Sequence, residues 1–124
     1  MGYKYSFEKL NVWDDARRFV KEIYLLTESF PSKEMYGLSS QMQRAAVSVV
    51  SNIAEGVTRF SDKEKVRFVE IAYGSIMEVY CQLYVAMDLG YIGQDKFDEL
   101  KVSVDEIANK LTSLAKSYRG RGDV

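Results

Sequence analysis

Apolar residues recur along this chain at intervals of three and four positions, the spacing that places side chains on one face of an α-helix. The first such segment carries Val12, Ala16, Phe19, Ile23, Leu26 and Phe30. Asn11 is a candidate N-cap, and Pro31 disfavours helical geometry at Phe30. The pattern therefore predicts a first helix over residues 12–30.

Three more segments follow the same spacing and predict helices over residues 38–59, 62–89 and 94–118. Gly56 is the expected weak point of the second helix, because glycine disfavours a helix interior. Ser61 and Glu64 form a candidate capping box at the start of the third helix, and Gly90 is its expected stop. We expect residues 119–124 to form a disordered tail.

Four amphipathic helices joined by short connections predict an all-α fold, an antiparallel up-down-up-down four-helix bundle. The 124 residues show no linker or repeat, so residues 1–124 are expected to form a single four-helix-bundle domain. No apolar run approaches the roughly 20 residues that span a bilayer, and we therefore expect no membrane partner.

The third predicted helix is apolar around most of its circumference. Besides its main apolar face it carries Phe68, Ile71, Ala72, Val79, Val85, Ala86 and Leu89. One four-helix bundle cannot cover all of these side chains, and soluble monomers avoid large exposed apolar patches. The pattern therefore predicts a homo-oligomer.

The second helix also carries a row of polar residues at helical spacing: Gln41, Arg44, Ser48, Asn52, Glu55 and Arg59. On the third helix, the corresponding candidates are Glu70, Ser75 and Glu78. In one interpretation, these side chains line a groove for a ligand or RNA. In the other, they pair with each other or with a neighbouring subunit and fix the register of the helices, because buried polar groups need partners.

Composition excludes most catalytic and metal-binding chemistry. The chain has no histidine, which removes Ser-His-Asp and Cys-His arrangements and every metal site that needs imidazole. Its single cysteine, Cys81, cannot form an intrachain disulfide, and we expect it to be buried and unreactive in a reducing cytoplasm. The sequence therefore predicts no catalytic residue, no metal, no cofactor and no enzymatic activity.

Charge argues against a dedicated nucleic-acid-binding protein. The formal net charge of −1 gives no overall electropositive field. The candidate nucleic-acid contacts are interspersed with aspartate and glutamate; they are Arg17, Arg18, Arg59, Lys63 and Arg67. We expect at most weak, salt-sensitive binding of RNA or DNA, through a band that these cations would form around an oligomer.

Several short motifs occur in an order that resembles one protein family. They are Phe7-x-x-Leu10-x-Val12-Trp13, Phe30-Pro31, Glu34-x-Tyr36-Gly37-Leu38, Arg44-Ala45, Ser51-Asn52-Ile53-Ala54-Glu55-Gly56, Arg67-Phe68, Gly74-Ser75 and Glu78. Over about residues 7–118, the chain is similar to the bacterial four-helix-bundle proteins encoded in intervening sequences of large-subunit ribosomal RNA genes. These are related to the accessory protein of diversity-generating retroelements. The resemblance implies a homopentamer and a link to RNA, although the retroelement relatives use strongly basic surfaces and this nearly neutral chain does not.

These observations favour a non-enzymatic oligomeric scaffold or interaction protein, whose process and protein partner the sequence does not identify. The alternative is a nucleic-acid-associated accessory protein that binds RNA or DNA weakly through the basic band. Carboxylates alone could support acid–base catalysis, but nothing in the chain pairs them with a nucleophile or a metal set.

Overall fold

The computed structural model describes residues 2–122, with side chains described for residues 2–120. Its helices are α1 (Asn11–Glu28), α2 (Leu38–Val57), α3 (Asp62–Asp88) and α4 (Gln94–Gly122), with short 3₁₀ turns at Ser6–Lys9 and Ser32–Glu34. The described part of the chain contains no β-strand. The predicted all-α fold with four helices is therefore confirmed.

Each helix packs against its neighbour in the sequence, and α1 also contacts α4. Between α1 and α4, Asp15 pairs with Lys110, and Glu22 accepts a hydrogen bond from Ser103 at 3.4 Å. From the first pair to the second, the residue number rises along α1 and falls along α4. That is the pairing expected of antiparallel neighbours, and it is consistent with the predicted up-down-up-down order.

The start and end of α1 differ from the prediction. Asn11 is the first helical residue rather than the N-cap; Leu10 occupies the cap position, with no side-chain hydrogen bond to the helix. The helix ends at Glu28, where the Ser29 hydroxyl donates to the Leu26 carbonyl oxygen at 2.7 Å. The Leu26 carbonyl oxygen also accepts a hydrogen bond from the Ser29 backbone amide at 3.1 Å, so both donors of Ser29 contact the last turn of the helix.

Both ends of α3 carry the predicted capping residues. The Ser61 hydroxyl accepts a hydrogen bond from the Glu64 amide at 3.1 Å, but the Glu64 carboxylate lies 3.4 Å from Arg67 instead of reaching back to Ser61, so only half of the predicted capping box is formed. At the other end Gly90 has a positive φ of 79°. The Gly90 and Tyr91 amides donate to the carbonyl oxygens of residues 87 and 86, at 3.0 and 2.9 Å, which is the Schellman arrangement that glycine favours.

The fourth helix is longer than predicted. It continues through Arg119 to Gly122, so a disordered tail beginning at residue 119 is wrong for these four positions. The Arg119 guanidinium donates a hydrogen bond to Glu70 of α3 at 2.8 Å, a contact that the apolar pattern cannot predict. The predicted tail residues 123 and 124 lie outside the described part of the chain.

The core consists of the apolar faces that the spacing predicted. Its largest fully buried side chains come from all four helices and include Phe19, Ile23, Met42, Ile53, Ile76, Leu83, Leu100, Ile107 and Leu111. Gly56 has a specific role in this packing. A Cβ atom there would lie 2.8 Å from the Cβ of Phe68, so glycine allows α2 and α3 to approach closely.

A polar contact joins the two connections at one end of the bundle. The Tyr91 hydroxyl donates to Glu34 Oε2 at 2.7 Å, and the Leu38 amide donates to Glu34 Oε1 at 3.1 Å. The Tyr91 hydroxyl, followed by the Leu38 amide, holds the pKa of Glu34 below its ordinary value. The same hydrogen bond raises the pKa of Tyr91.

Candidate functional site

Three of the predicted polar residues form a hydrogen-bonded cluster between α2 and α3. The hydroxyl oxygens of Ser48 and Ser75 lie 2.8 Å apart. The Asn52 side-chain amide donates to the Ser48 carbonyl oxygen at 2.8 Å and to its hydroxyl at 3.0 Å. The cluster satisfies polar groups within a largely apolar contact between the two helices.

A groove of about 290 Å³ opens beside this cluster. It is lined by Gln41, Arg44, Ala45, Ser48 and Glu78. Among residues 2–120, Arg44 makes no hydrogen bond or ion pair. The groove therefore contains an unpaired cation opposite a carboxylate, within one short stretch of surface.

Gln82 extends the polar row on α3, and sequence reasoning missed it. Its side chain is only 8% exposed, and its Nε2 donates to Glu78 Oε2 at 3.4 Å. Its Oε1 is the buried side-chain oxygen that lacks a hydrogen-bond partner among the described residues. The spacing of four from Glu78 and seven from Ser75 is the signal that could have identified it.

The remaining residues of the predicted row lie outside this groove. Glu55 and Arg59 form an exposed ion pair at 3.6 Å, and the Arg59 guanidinium lies 4.4 Å from the centre of the Phe68 ring. Glu70 faces α4 through Arg119. The structure thus brings together Gln41, Arg44, Ser48, Asn52, Ser75 and Glu78, and it places the other three in separate surface pairs.

The outer surface of α3 carries apolar side chains that the bundle does not cover. Ile71, Val85 and Leu89 are 40%, 41% and 53% exposed, and Val47 of α2 is similarly exposed. The second apolar set of α3 is only partly external, because Ala72, Val79 and Ala86 are buried within the single chain. We define Val47, Ile71, Val85 and Leu89, together with the groove, as the α2–α3 face.

Cys81 is exposed, and the expectation of a buried thiol is wrong. Its side chain points outward, on the same side of α3 as Val85, which lies one helical turn further along the chain. Its position beside the exposed apolar residues explains why an apolar pattern assigned it to the core.

The five candidate nucleic-acid contacts are mostly held by neighbouring carboxylates. Arg17, Arg18 and Arg67 lie 3.4, 2.6 and 3.4 Å from aspartate or glutamate three residues earlier. Arg59 pairs with Glu55, as described above. Lys63 makes no hydrogen bond or ion pair with residues 2–120. Exposed pairs of this kind are worth only tenths of a kcal/mol, yet each one places a negative charge beside the cation.

No group of three or more histidine, cysteine, aspartate or glutamate side chains within the described residues is placed to hold a metal ion. Within that same part of the chain, no helix is both long enough and apolar enough to cross a membrane.

The model of the 23S rRNA-intervening sequence protein family matches residues 8–113. The chain belongs to this family. The resemblance predicted from the order of the motifs is therefore confirmed. A comparison with curated proteins finds no match.

A solved structure has a similar fold. It is a protein of unknown function from the S23 ribosomal protein family of Bacteroides thetaiotaomicron VPI-5482. The two chains are 23% identical with a TM-score of 0.77, and the alignment covers 85% of this chain and 95% of the other. At that identity the similarity supports the fold alone.

Proposed function

We propose that this protein is a non-enzymatic scaffold that assembles with copies of itself through the α2–α3 face. The observation that carries the proposal is the apolar surface of α3, where Ile71, Val85 and Leu89 remain exposed although the core beneath them is complete. Burying such side chains is favourable by roughly 25 cal/mol per Å² of apolar surface. A second copy would remove this surface from water.

The charges on the α2–α3 face favour a second copy over an unrelated partner. Arg44 and Glu78 carry opposite charges on the same surface, and Arg44 is unpaired within residues 2–120. A ring joins two different surfaces of each subunit, so the α2 side of this face, with Arg44, would contact the α3 side of the next subunit, with Glu78. The family resemblance supplies the number of subunits that we propose, five.

Light scattering tests the proposal directly. We expect the wild type to have a mass several times the 14.2 kDa of one chain. Val85→Glu would introduce a carboxylate into the contact and should reduce the mass to that of one chain, because an unpaired buried charge is costly.

Val102→Glu is the matched control, since Val102 is also an exposed valine but lies on the outer surface of α4. It should leave the mass unchanged. Circular dichroism should show that both variants remain helical. A Val85→Glu variant that keeps the wild-type mass would contradict the proposed contact.

A second candidate function is weak binding of nucleic acid. One observation favours it: Arg59, Lys63 and Arg67 surround the turn between α2 and α3, and Arg17 and Arg18 lie in the first turns of α1. An oligomer would repeat these cations around its axis. The ion pairs described above limit the number that can release counterions from phosphates.

Fluorescence anisotropy with labelled single- and double-stranded RNA tests this candidate. We expect weak binding without base preference, lost by about 0.2 M salt. Sequence-specific binding that survives this salt concentration would make nucleic-acid recognition the primary function. We further propose the reducing cytoplasm as the compartment, because the single cysteine, Cys81, cannot form an intrachain disulfide.

A further inference from the structure

The near-zero net charge of this chain conceals a separation of charge between the two ends of the bundle. Contacts of Lys110 with Asp15, of Lys65 with the Val57 carbonyl oxygen and of Arg119 with Glu70 bring four segments together. These segments are the start of α1, the end of α2, the start of α3 and the end of α4. We call this the basic end, comprising residues 2–18, 49–74 and 107–120, and the remainder, residues 19–48 and 75–106, the acidic end.

The two ends have opposite net charges of similar size. The basic end carries eleven Lys or Arg and seven Asp or Glu, an excess of four positive charges. The acidic end carries five Lys or Arg and ten Asp or Glu, an excess of five negative charges. Ends of opposite net charge attract each other over about a Debye length, which is roughly 10 Å at 0.1 M salt. This attraction orients two molecules before they make contact.

Each end also offers an apolar feature. At the basic end, Phe60 in the turn between α2 and α3 is fully exposed, and Arg59 and Lys63 lie beside it in the sequence. At the acidic end, a groove of about 400 Å³ lies between the end of α1 and the start of α4. It is lined by Glu22, Leu25, Leu26, Ser29, Lys96 and Glu99.

We propose that the basic end of one copy docks on the acidic end of another, with Phe60 against Leu25 in the α1–α4 groove. Glu22 and Glu99 on the rim of the groove would face Arg59 and Lys63 of the incoming turn. The aromatic ring would leave water, and the exposed Leu25 would be covered at the same time. Because the two surfaces differ, the contact joins molecules head to tail, and it is separate from the α2–α3 face.

The structure favours a second copy over a polyanion as the occupant of the basic end. Phosphate contacts require cations that are free to release counterions, whereas Arg17, Arg18, Arg59 and Arg67 already lie 2.6–3.6 Å from carboxylates three or four residues earlier in the chain. The interspersed carboxylates would repel phosphates at close range. A protein surface that carries mostly carboxylates and one lysine can match this mixed pattern.

The test measures mass by light scattering in the Val85→Glu variant, which lacks the proposed contact through the α2–α3 face. At about 0.02 M salt the mass should rise with protein concentration, and at about 0.5 M salt it should not, because salt screens the charges that orient the ends. Phe60→Ser and Leu25→Ser should each abolish the rise. Tyr36→Ser is the control and should keep the rise, because Tyr36 is a highly exposed aromatic residue of the acidic end that lies outside the α1–α4 groove.

The outcomes separate the two proposals. If Val85→Glu keeps the wild-type mass at high salt, the contact through the α2–α3 face is wrong, and the response to salt and to Phe60→Ser still decides the head-to-tail contact. Absence of any rise at low salt, or a rise that survives Phe60→Ser, would overturn the head-to-tail contact. Tight binding of a labelled RNA oligonucleotide that depends on Phe60 would also overturn it, because a polyanion would then occupy the basic end.

Discussion

Replacing Gly56 with alanine separates two effects that the sequence alone cannot rank. In a helix interior, alanine is more favourable than glycine by about 1 kcal/mol, so helix propensity predicts a gain in stability. The structure places the new Cβ 2.8 Å from the Cβ of Phe68, an atom next to the α3 backbone that a rotamer change cannot move away. The two helices would have to separate, and overpacking of this kind costs roughly 1–3 kcal/mol.

Gly74→Ala is the matched control, because no atom lies within 4 Å of the Cβ that would be added there. The propensity gain at Gly56, in the last turn of α2, is at most the gain at Gly74, in the middle of α3, so the difference between their unfolding free energies is the packing cost plus any shortfall in that gain. We expect Gly74→Ala to be more stable than its parent and Gly56→Ala to be less stable, with a difference of about 1–3 kcal/mol.

Urea unfolding followed by circular dichroism gives both values. The two substitutions should be compared in a Val85→Glu background, in which the proposed subunit contact is absent. If Gly56→Ala stabilised the protein as much as Gly74→Ala, the close approach of α2 and α3 at Phe68 would be wrong.

Three further predictions concern the core, a cap and a polar contact. Leu111→Ala should cost roughly 2–5 kcal/mol of unfolding free energy, because Leu111 is fully buried, whereas the exposed Val102→Ala should change it by less than about 0.5 kcal/mol. Ser61→Ala removes the cap of α3 and should cost about 1 kcal/mol in the same urea titration. Tyr91→Phe removes a donor that lowers the pKa of Glu34, so the stabilisation is present above the ordinary pKa of 4.5 and is lost as pH falls through the lower folded value. The raised pKa of Tyr91 sets the upper limit, with loss beginning as pH rises above 10.0. Thermal unfolding should therefore show a lower melting temperature for Tyr91→Phe at about pH 7, and a difference that becomes smaller as pH falls below 4.5.

The sequence predicted the four helices because each one buries a face whose residues recur at helical spacing. Ser61 and Gly90 were predictable as caps from local sequence as well. The N-cap position favours a side chain that accepts a hydrogen bond, the residue after a helix often needs a positive φ, and few residue types meet either requirement. The end of α4 was not predictable in this way. It continues past Tyr118 through residues with no apolar periodicity, and Arg119 contacts Glu70 of another helix, 49 positions away.

Prediction of the site was limited by partners that only the fold brings together. Spacing placed Ser48 and Asn52 on one face of α2, yet it could not show that Ser75 of α3 would complete the cluster at 2.8 Å. Net charge was misleading for a related reason. A sum over the whole chain cancels an excess of four positive charges at one end of the bundle against five negative charges at the other.

Reaction of Cys81 with a maleimide tests self-assembly through the α2–α3 face most directly, because Cys81 is the only cysteine and lies one helical turn from Val85. The comparison is between the wild type and Ile71→Glu, whose new charge is distant along α3 from the thiol. If copies of the chain cover this face, the thiol of the wild type should react more slowly than that of Ile71→Glu, and dilution should remove the difference. Equal rates at every protein concentration would mean that the face stays open to solvent and would contradict the proposed assembly.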